Sequence, residues 1–219
     1  MSLSELWSLY GQNYIDALLA TWGMTLESFA IAMVLAVAVT VMRVSPLKPL
    51  RVFGDLYVQV FRNIPGIALL IIVVYALPPL KVVLPYRTCV IVATVLLGSA
   101  FGSENFMSGI NTVGVGQVEA ARSLGMSFSR ILAKIVIPQA LRSSVLPMTN
   151  LFIAVMLTTA LGSQVPLKPQ ELTGVVRYIN TRSLGGVAAF FISALGYLGT
   201  AFVVSHIGND IAKKMRIHR

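Results

Sequence analysis

Ionisable and polar side chains inside apolar stretches are the residues of this sequence that can do chemistry. Glu27, Arg62 and Glu104 each interrupt a run of hydrophobic residues. A charge in such a setting is costly, and it persists where it meets an opposite charge or a water-filled path. Arg62 stands about nine residues into its run and Glu104 six or seven from the end of its own. At about 1.5 Å per residue, both lie on the order of 10 Å inside the same face of a membrane. They are expected to pair, or to share a polar network near an inner gate. Glu27 is expected to reach water. Asn63, Asn150, Thr158 and Thr159 are the other polar residues near mid-run; such groups serve either as glue between helices or as contacts to a permeant molecule. Enzymatic chemistry finds little support. There is no GxxxxGK[ST] phosphate loop. His206 and His218 have no Cys or carboxylate cluster around them, so no metal site is expected. Cys89 is the sole cysteine and lies in an apolar run.

The elements that position these residues follow from composition. Of 219 residues, 56% are hydrophobic and 11% charged, with a mean hydropathy of +0.81. A soluble domain of this size would expose more apolar surface than water tolerates, so the fold class is all-α integral membrane. A span needs about 20 mostly apolar residues. Five are expected, at about 18–42, 53–80, 88–110, 143–165 and 184–208, forming one transmembrane domain over 1–219. Met1 to Asp16 contains no Lys or Arg and does not read as a cleavable leader. The net charge of +9 is topology information rather than a sign of nucleic acid. With the N-terminus outside, the inner loops hold eleven basic residues (Arg43, Lys48, Arg51, Arg122, Arg130, Lys134, Arg142, Lys213, Lys214, Arg216, Arg219). The outer loops then hold five (Lys81, Arg87, Lys168, Arg177, Arg182). That asymmetry predicts N-terminus outside and C-terminus cytoplasmic. Five helices are too few to enclose a pathway with two gates, so a dimer of such chains is expected.

One inner loop, Val113 to Pro138, carries an ordered pattern. Gln117 to Leu124 reads as a short helix with Glu119 in its first turn, where an anion suits the helix dipole. Gly125 stands where a glycine ends a helix. Ser127 can cap the next helix, and Pro138 kinks or restarts it. On the other side, the long loop Gly162 to Ser183 reads either as a connector or as a surface for an external partner, and Glu171 to Tyr178 within it reads as a short interfacial helix.

The loop residues run Glu119-Ala120-Ala121, three residues, Gly125, nine residues, Ile135-Val136-Ile137-Pro138. This resembles the EAA motif of the membrane subunits of ATP-binding cassette importers, with Ile137 in place of Leu. Phe61-Arg62-Asn63-Ile64-Pro65 resembles the Phe-Arg-Gly-Thr-Pro segment of the polar amino acid permeases within that family. Ser103-Glu104 with Ser108-Gly109-Ile110, and Pro138-Gln139-Ala140-Leu141-Arg142 with Pro147 and Asn150, resemble further segments of it. The likeness covers roughly Met24 to Glu171, and Met42 to Pro46 with Ser108 to Thr112 resembles the glutamate-type uptake permeases of Gram-positive bacteria.

The resemblance implies a multi-pass permease subunit of a bacterial cell membrane, not itself catalytic. It implies ATP and Mg bound by a partner ATPase, a second permease subunit, alike or unlike, and an extracellular substrate-binding protein. It assigns Glu119, Ala120, Ala121, Gly125, Ile135 and Pro138 to a coupling helix that docks on the ATPase. Small Ala120 and Ala121 would let that helix approach closely, and Glu119 would accept hydrogen bonds. Arg62, Asn63, Glu104, Asn150, Thr158 and Thr159 are the candidate pathway or gate residues. The implied substrate is glutamate or another polar amino acid. The family commonly has Lys-Asp-Thr-Ser-Leu where Leu157-Thr158-Thr159-Ala160-Leu161 stands here, so substrate contacts do not carry over. The alternative readings are an amino acid carrier driven by an ion gradient, with Glu104 as its titrating carboxylate, and a scaffold subunit without a path.

Overall fold

The structure, a computed structural model, describes residues 2–182 and 186–215. Leu184, which opens the fifth expected span, and Arg216, His218 and Arg219 lie outside the described residues.

Helix α1 (Leu3–Val44) starts well before the expected first span. A capping box begins it: Glu5 N–H donates to the Ser2 hydroxyl at 3.3 Å, and Ser2 N–H to the Glu5 carboxylate at 2.8 Å. Polar Gln12 and Asp16 end the hydrophobic run but not the helix, since they bond one turn apart at 2.9 Å.

The expected second span is broken. Helix α2 (Lys48–Asn63) and α3 (Gly66–Ile71) lie on the two sides of a 103° bend at Ile64-Pro65. The proline ring pushes Ile64 into an extended conformation (φ −85°, ψ 131°). Along α2, Arg51, Asp55, Gln59 and Arg62 recur at helical spacing and form a polar stripe. After α3 a wide turn (Ile72–Ala76) and a tight turn (Pro78–Leu80) lead to α4 (Tyr86–Asn111).

Next come α5 (Val115–Ser123), α6 (Phe128–Ile131), a second wide turn (Leu132–Val136) and α7 (Ile137–Ser143). Helix α8 (Val145–Thr158) ends in a tight turn (Thr159–Gln164) and is followed by α9 (Leu172–Asn180) and α10 (Gly186–Met215). Both wide turns sit just before proline, Pro78 and Pro138. Proline offers no N–H and its ring presses on the carbonyl four residues back, and widening the preceding turn relieves both.

Among the described residues, four helices (α1, α4, α8 with its tight turn, and α10) are long and apolar enough to cross a membrane, and the bent α2–α3 pair makes a fifth when taken as one span. Their directions follow from contacts. Glu27 meets Arg87 and Arg43 meets Glu104, so α1 and α4 run parallel. Tyr14 meets Ala189 and Trp22 meets Thr200, so α10 runs parallel to α1 as well. Asn105 bonds the Pro147 carbonyl while Gly98 abuts Val155, so α8 runs the other way. A chain that enters α4 parallel to α1 must return between them, so α2–α3 is a crossing despite its bend. The described ends of the chain therefore lie at opposite ends of the bundle, with α5 to α7 at one and α9 at the other.

Helix α4 packs at the centre through Gly98, Ser99, Ala100, Gly102 and Ser103, all buried or nearly so. A Cβ at Gly102 would come 2.9 Å from Ala36 Cβ and from Met33 Cε. Small residues one turn apart let α1 and α8 approach this closely.

Candidate functional site

At one end of the bundle, α5 stands out from the surface on a defined hinge. Gly125 N–H donates to Arg122 O at 2.9 Å and Met126 N–H to Ala121 O at 3.1 Å, the two bonds of a Schellman turn. That turn needs a left-handed residue, and Gly125 supplies it with φ +75°. The helix begins two residues earlier than its sequence suggests, at Val115, which leaves Glu119 beyond its first turn and away from the dipole's positive end. Ser127 has capping backbone angles, but its hydroxyl faces Ser129 at 3.4 Å instead of the helix N–H groups. Gln139 Nε2 donates to Gln117 Oε1 at 2.7 Å and ties α5 to α7.

The two alanines of α5 part company. Ala120 is exposed, whereas Ala121 is 3% exposed and packs with Val113, Ile131 and Val136 beneath the loop. Ala121 therefore holds the helix down rather than admitting a partner. Ile135 rests on the same cluster, Pro138 is exposed in the first turn of α7, and Glu119 is exposed. The outward face also carries Leu124, 82% exposed, with Val115 and Phe128 nearby in sequence and exposed too. A bare leucine at the end of a polar helix is the feature of this loop that sequence reasoning missed.

Behind the loop, near the same end, four charged residues from three helices form one network. Arg43 Nε lies 2.9 Å from Asp55 Oδ1, and Arg43 Nη1 lies 3.1 Å from Glu104 Oε2. Arg62 Nη1 reaches the same Glu104 oxygen at 3.4 Å, and its guanidinium lies 5.4 Å from the centre of the Phe101 ring. Ser103 Oγ accepts from Arg43 at 3.3 Å and from Thr40 at 3.1 Å. Arg62 and Glu104 thus pair as expected, but Arg43 and Asp55 complete the set. Arg43 was counted only as a topology charge, and the polar stripe of α2 was the pattern that could have pointed to Asp55.

The other candidate pathway residues do not join this network. Asn63 Nδ2 donates to Gln59 O at 2.6 Å. Asn150 is exposed on α8. Thr158 and Thr159 donate to Ala154 O and Met156 O at 2.7 and 2.6 Å, so both hydroxyls bond their own helix. Back-bonding of this kind is the default for a threonine in a membrane helix.

At the opposite end, Arg87 grips Glu27 through two bonds of 2.6 and 2.8 Å. Glu27 is about half exposed, in keeping with the expectation that it reaches water, and it has Arg87 as a bidentate partner as well. Glu171 is fully buried at the start of α9, where its carboxyl accepts from Thr173 N–H at 2.7 Å, Gly174 N–H at 2.6 Å and Tyr197 O–H at 2.9 Å. Burial pushes this carboxyl above the usual carboxylate range, and the three donors offset part of that rise. Among the described residues, no group of three His, Cys, Asp or Glu is placed to hold a metal.

A bundle of up to five crossings among the described residues, with an exposed short helix on a glycine hinge at one end and a capped short helix at the other, defines a multi-pass membrane protein. Residues 28–216 match the family described as the binding-protein-dependent transport system inner membrane component, and the chain belongs to that family. It is 31% identical to the glutamate transport system permease protein GluC of Corynebacterium efficiens, covering 99% of this chain and 100% of that one. It is also 31% identical to the L-cystine transport system permease protein TcyB of Bacillus subtilis, covering 95% of this chain and 91% of that one. The fold matches the crystal structure of an amino acid ABC transporter with histidines at a TM-score of 0.91, with 24% identity and 98% and 99% of the two chains covered. The MetNI methionine ABC transporter in an inward-facing conformation matches at 0.74, with 19% identity and 99% and 100% covered. The chain is thus a non-catalytic membrane permease subunit of the ATP-binding cassette class, which works with ATPase subunits, a second permease subunit and a substrate-binding protein.

Proposed function

We propose that this chain imports an amino acid, glutamate or another polar one, by converting displacement of α5 into alternating access. The observation that carries the reading is the exposed α5 on its Schellman hinge, with Glu119, Ala120 and Leu124 turned outward. In this reading the α5 end is cytoplasmic, the α9 end is outside, and ATP with Mg is held by the ATPase alone. Movement of α5 passes to α7 through the Gln117–Gln139 bond, and from α7 to α4 through Ser143 and Ser144, whose hydroxyls reach Gly109 O and Asn105 O. Arg62 and Glu104 then act at an inner gate together with Arg43 and Asp55. Asn63, Asn150, Thr158 and Thr159 serve as structural glue rather than as direct substrate contacts. The relatives' printed substrates, glutamate and L-cystine, support an amino acid without choosing between them.

An ion-gradient carrier would need a carboxylate left unpaired for the driving ion. Glu104 instead lies between two guanidinium groups, which favours the importer.

The test is Glu119→Lys in proteoliposomes holding the complete importer. Reversal of the docking charge is expected to weaken ATPase association and cut ATP-driven uptake about tenfold or more, with insertion of the chain unchanged. Normal association and normal uptake would refute the coupling role. Uptake driven by a pH or Na⁺ gradient without ATP would refute the importer.

A further inference from the structure

A cavity of about 900 Å³ lies at the α9 end, between the tight turn after α8, α9 and α10. That is the upper part of the range for small-ligand sites, which pair an apolar wall with a few placed polar groups. The wall here is apolar, with Leu157, Val176, Phe190 and Leu198 among its residues. Two polar groups stand out against it, one at the surface and one buried.

Among the described residues, Arg177, on α9, is the only Lys, Arg, Asp, Glu or His that lines the cavity. Its Nη1 donates to Ser163 O at 3.2 Å, which fixes the guanidinium, and no carboxylate pairs with it among the described residues. Its remaining donors are open to a carboxylate, which a guanidinium binds best. Ser193, on α10, is 3% exposed and lines the same cavity, and its hydroxyl has no hydrogen-bond partner. A helical serine ordinarily bonds the carbonyl four residues back. Here that carbonyl, Ala189 O, already accepts the Tyr14 hydroxyl at 2.9 Å. A buried hydroxyl left without a partner in an apolar wall points to an occupant that completes it.

We propose that this cavity is the substrate site of the permease, and that it takes an α-amino acid with an uncharged side chain. The proposal rests on the importer reading above. Arg177 receives the α-carboxylate, Ser193 meets a polar group deeper in, and the apolar wall takes the side chain. Among the described residues no acid lines the cavity to balance a cationic side chain in addition to the α-ammonium, and the second carboxylate of a dicarboxylic amino acid finds no second cation there.

The experiment is equilibrium binding of L-glutamine, L-glutamate and L-arginine to the detergent-purified complex of permeases and ATPase, without the binding protein. L-Glutamine is expected to bind most tightly. Arg177→Gln should weaken it about tenfold or more, since a charge-assisted bond is lost, and Arg177→Lys should recover part of that loss. Ser193→Ala should weaken it about threefold or more. Unchanged glutamine affinity in Arg177→Gln and Ser193→Ala overturns the site, as does tighter binding of L-glutamate or L-arginine for the substrate class. Separation of the two permease subunits in Arg177→Gln assigns the cavity to subunit contact and overturns it. So does a phospholipid that copurifies with wild type and is lost in that variant. Absence of ATP-driven uptake of any amino acid by the wild-type importer sinks the importer reading instead, and glutamine binding by the same complex separates the two failures.

Discussion

The two ends of this bundle treat charge in opposite ways. At the α5 end, Arg43, Asp55, Arg62 and Glu104 satisfy one another across α1, α2 and α4, and what faces outward is a mixture of Glu119, Ala120 and bare Leu124. At the α9 end, Glu27 and Arg87 are matched, but Arg177 and Ser193 remain open beside a cavity. A closed ion network fixes helices relative to one another and holds no ligand. A lone guanidinium beside space does the reverse. On the proposed roles, the contrast sets force transmission at one end against recognition at the other.

The sharpest way to break that contrast is at Leu124. With its side chain 82% exposed, Leu124→Asp costs the isolated subunit little stability. An apolar anchor at the centre of an interface is worth about 2 kcal/mol or more, so ATPase association should fall by about thirtyfold when measured by co-purification at graded ATPase concentration. Wild-type association would mean that Leu124 anchors no partner, and the docking role proposed for the α5 end would fall.

The network offers the next test. Arg43 contacts both carboxylates and is 11% exposed, whereas Arg62 contacts one and is 36% exposed. Arg43→Ala leaves Asp55 unpaired and Glu104 half-paired, and should cost about 2–3 kcal/mol in unfolding measured in detergent. Arg62→Ala should cost about 1 kcal/mol or less, as an exposed pair does. Arg43→Ala combined with Asp55→Ala should cost clearly less than the sum of the two. Additive losses would show that the two do not act as a unit.

Much of this fold was legible because apolar run length and helix punctuation are local. Gly125 ended α5 as its type requires, and Glu171 capped α9 next to the position where a helix was expected. The errors arose where hydropathy stood in for geometry. Polar Gln12 and Asp16 end an apolar run but leave a helix intact, and Ile64-Pro65 bends a span that a window average reads as straight. In the site, Arg62 and Glu104 were visible as charges in apolar runs. Arg43 was not, because its partners are 12 residues away in sequence for Asp55 and 61 for Glu104. The cavity was invisible for the same reason: Ser193 becomes available only because Tyr14, 175 residues before Ala189, occupies the carbonyl it would use.

The smallest expected effect concerns Glu171 and bears on whether the α9 end is rigid. Burial raises this carboxyl's folded-state pKa above its unfolded value. The folded chain therefore holds the proton more tightly than the unfolded one. Stability from this group is greatest below the unfolded value, and it falls as pH rises from there to the raised folded value. Above that window the cost is constant. Glu171→Gln removes the titration but keeps an acceptor for the Thr173 or Gly174 N–H. The variant should have a lower Tm than wild type in acid, where a protonated carboxyl fits, and the gap should narrow towards neutral pH. A gap that widens towards neutral pH would mean that the donors from Thr173, Gly174 and Tyr197 outweigh burial. Glu171 would then be a charged cap that locks α9 against α10, and the wall of the cavity would be fixed by charge rather than by packing.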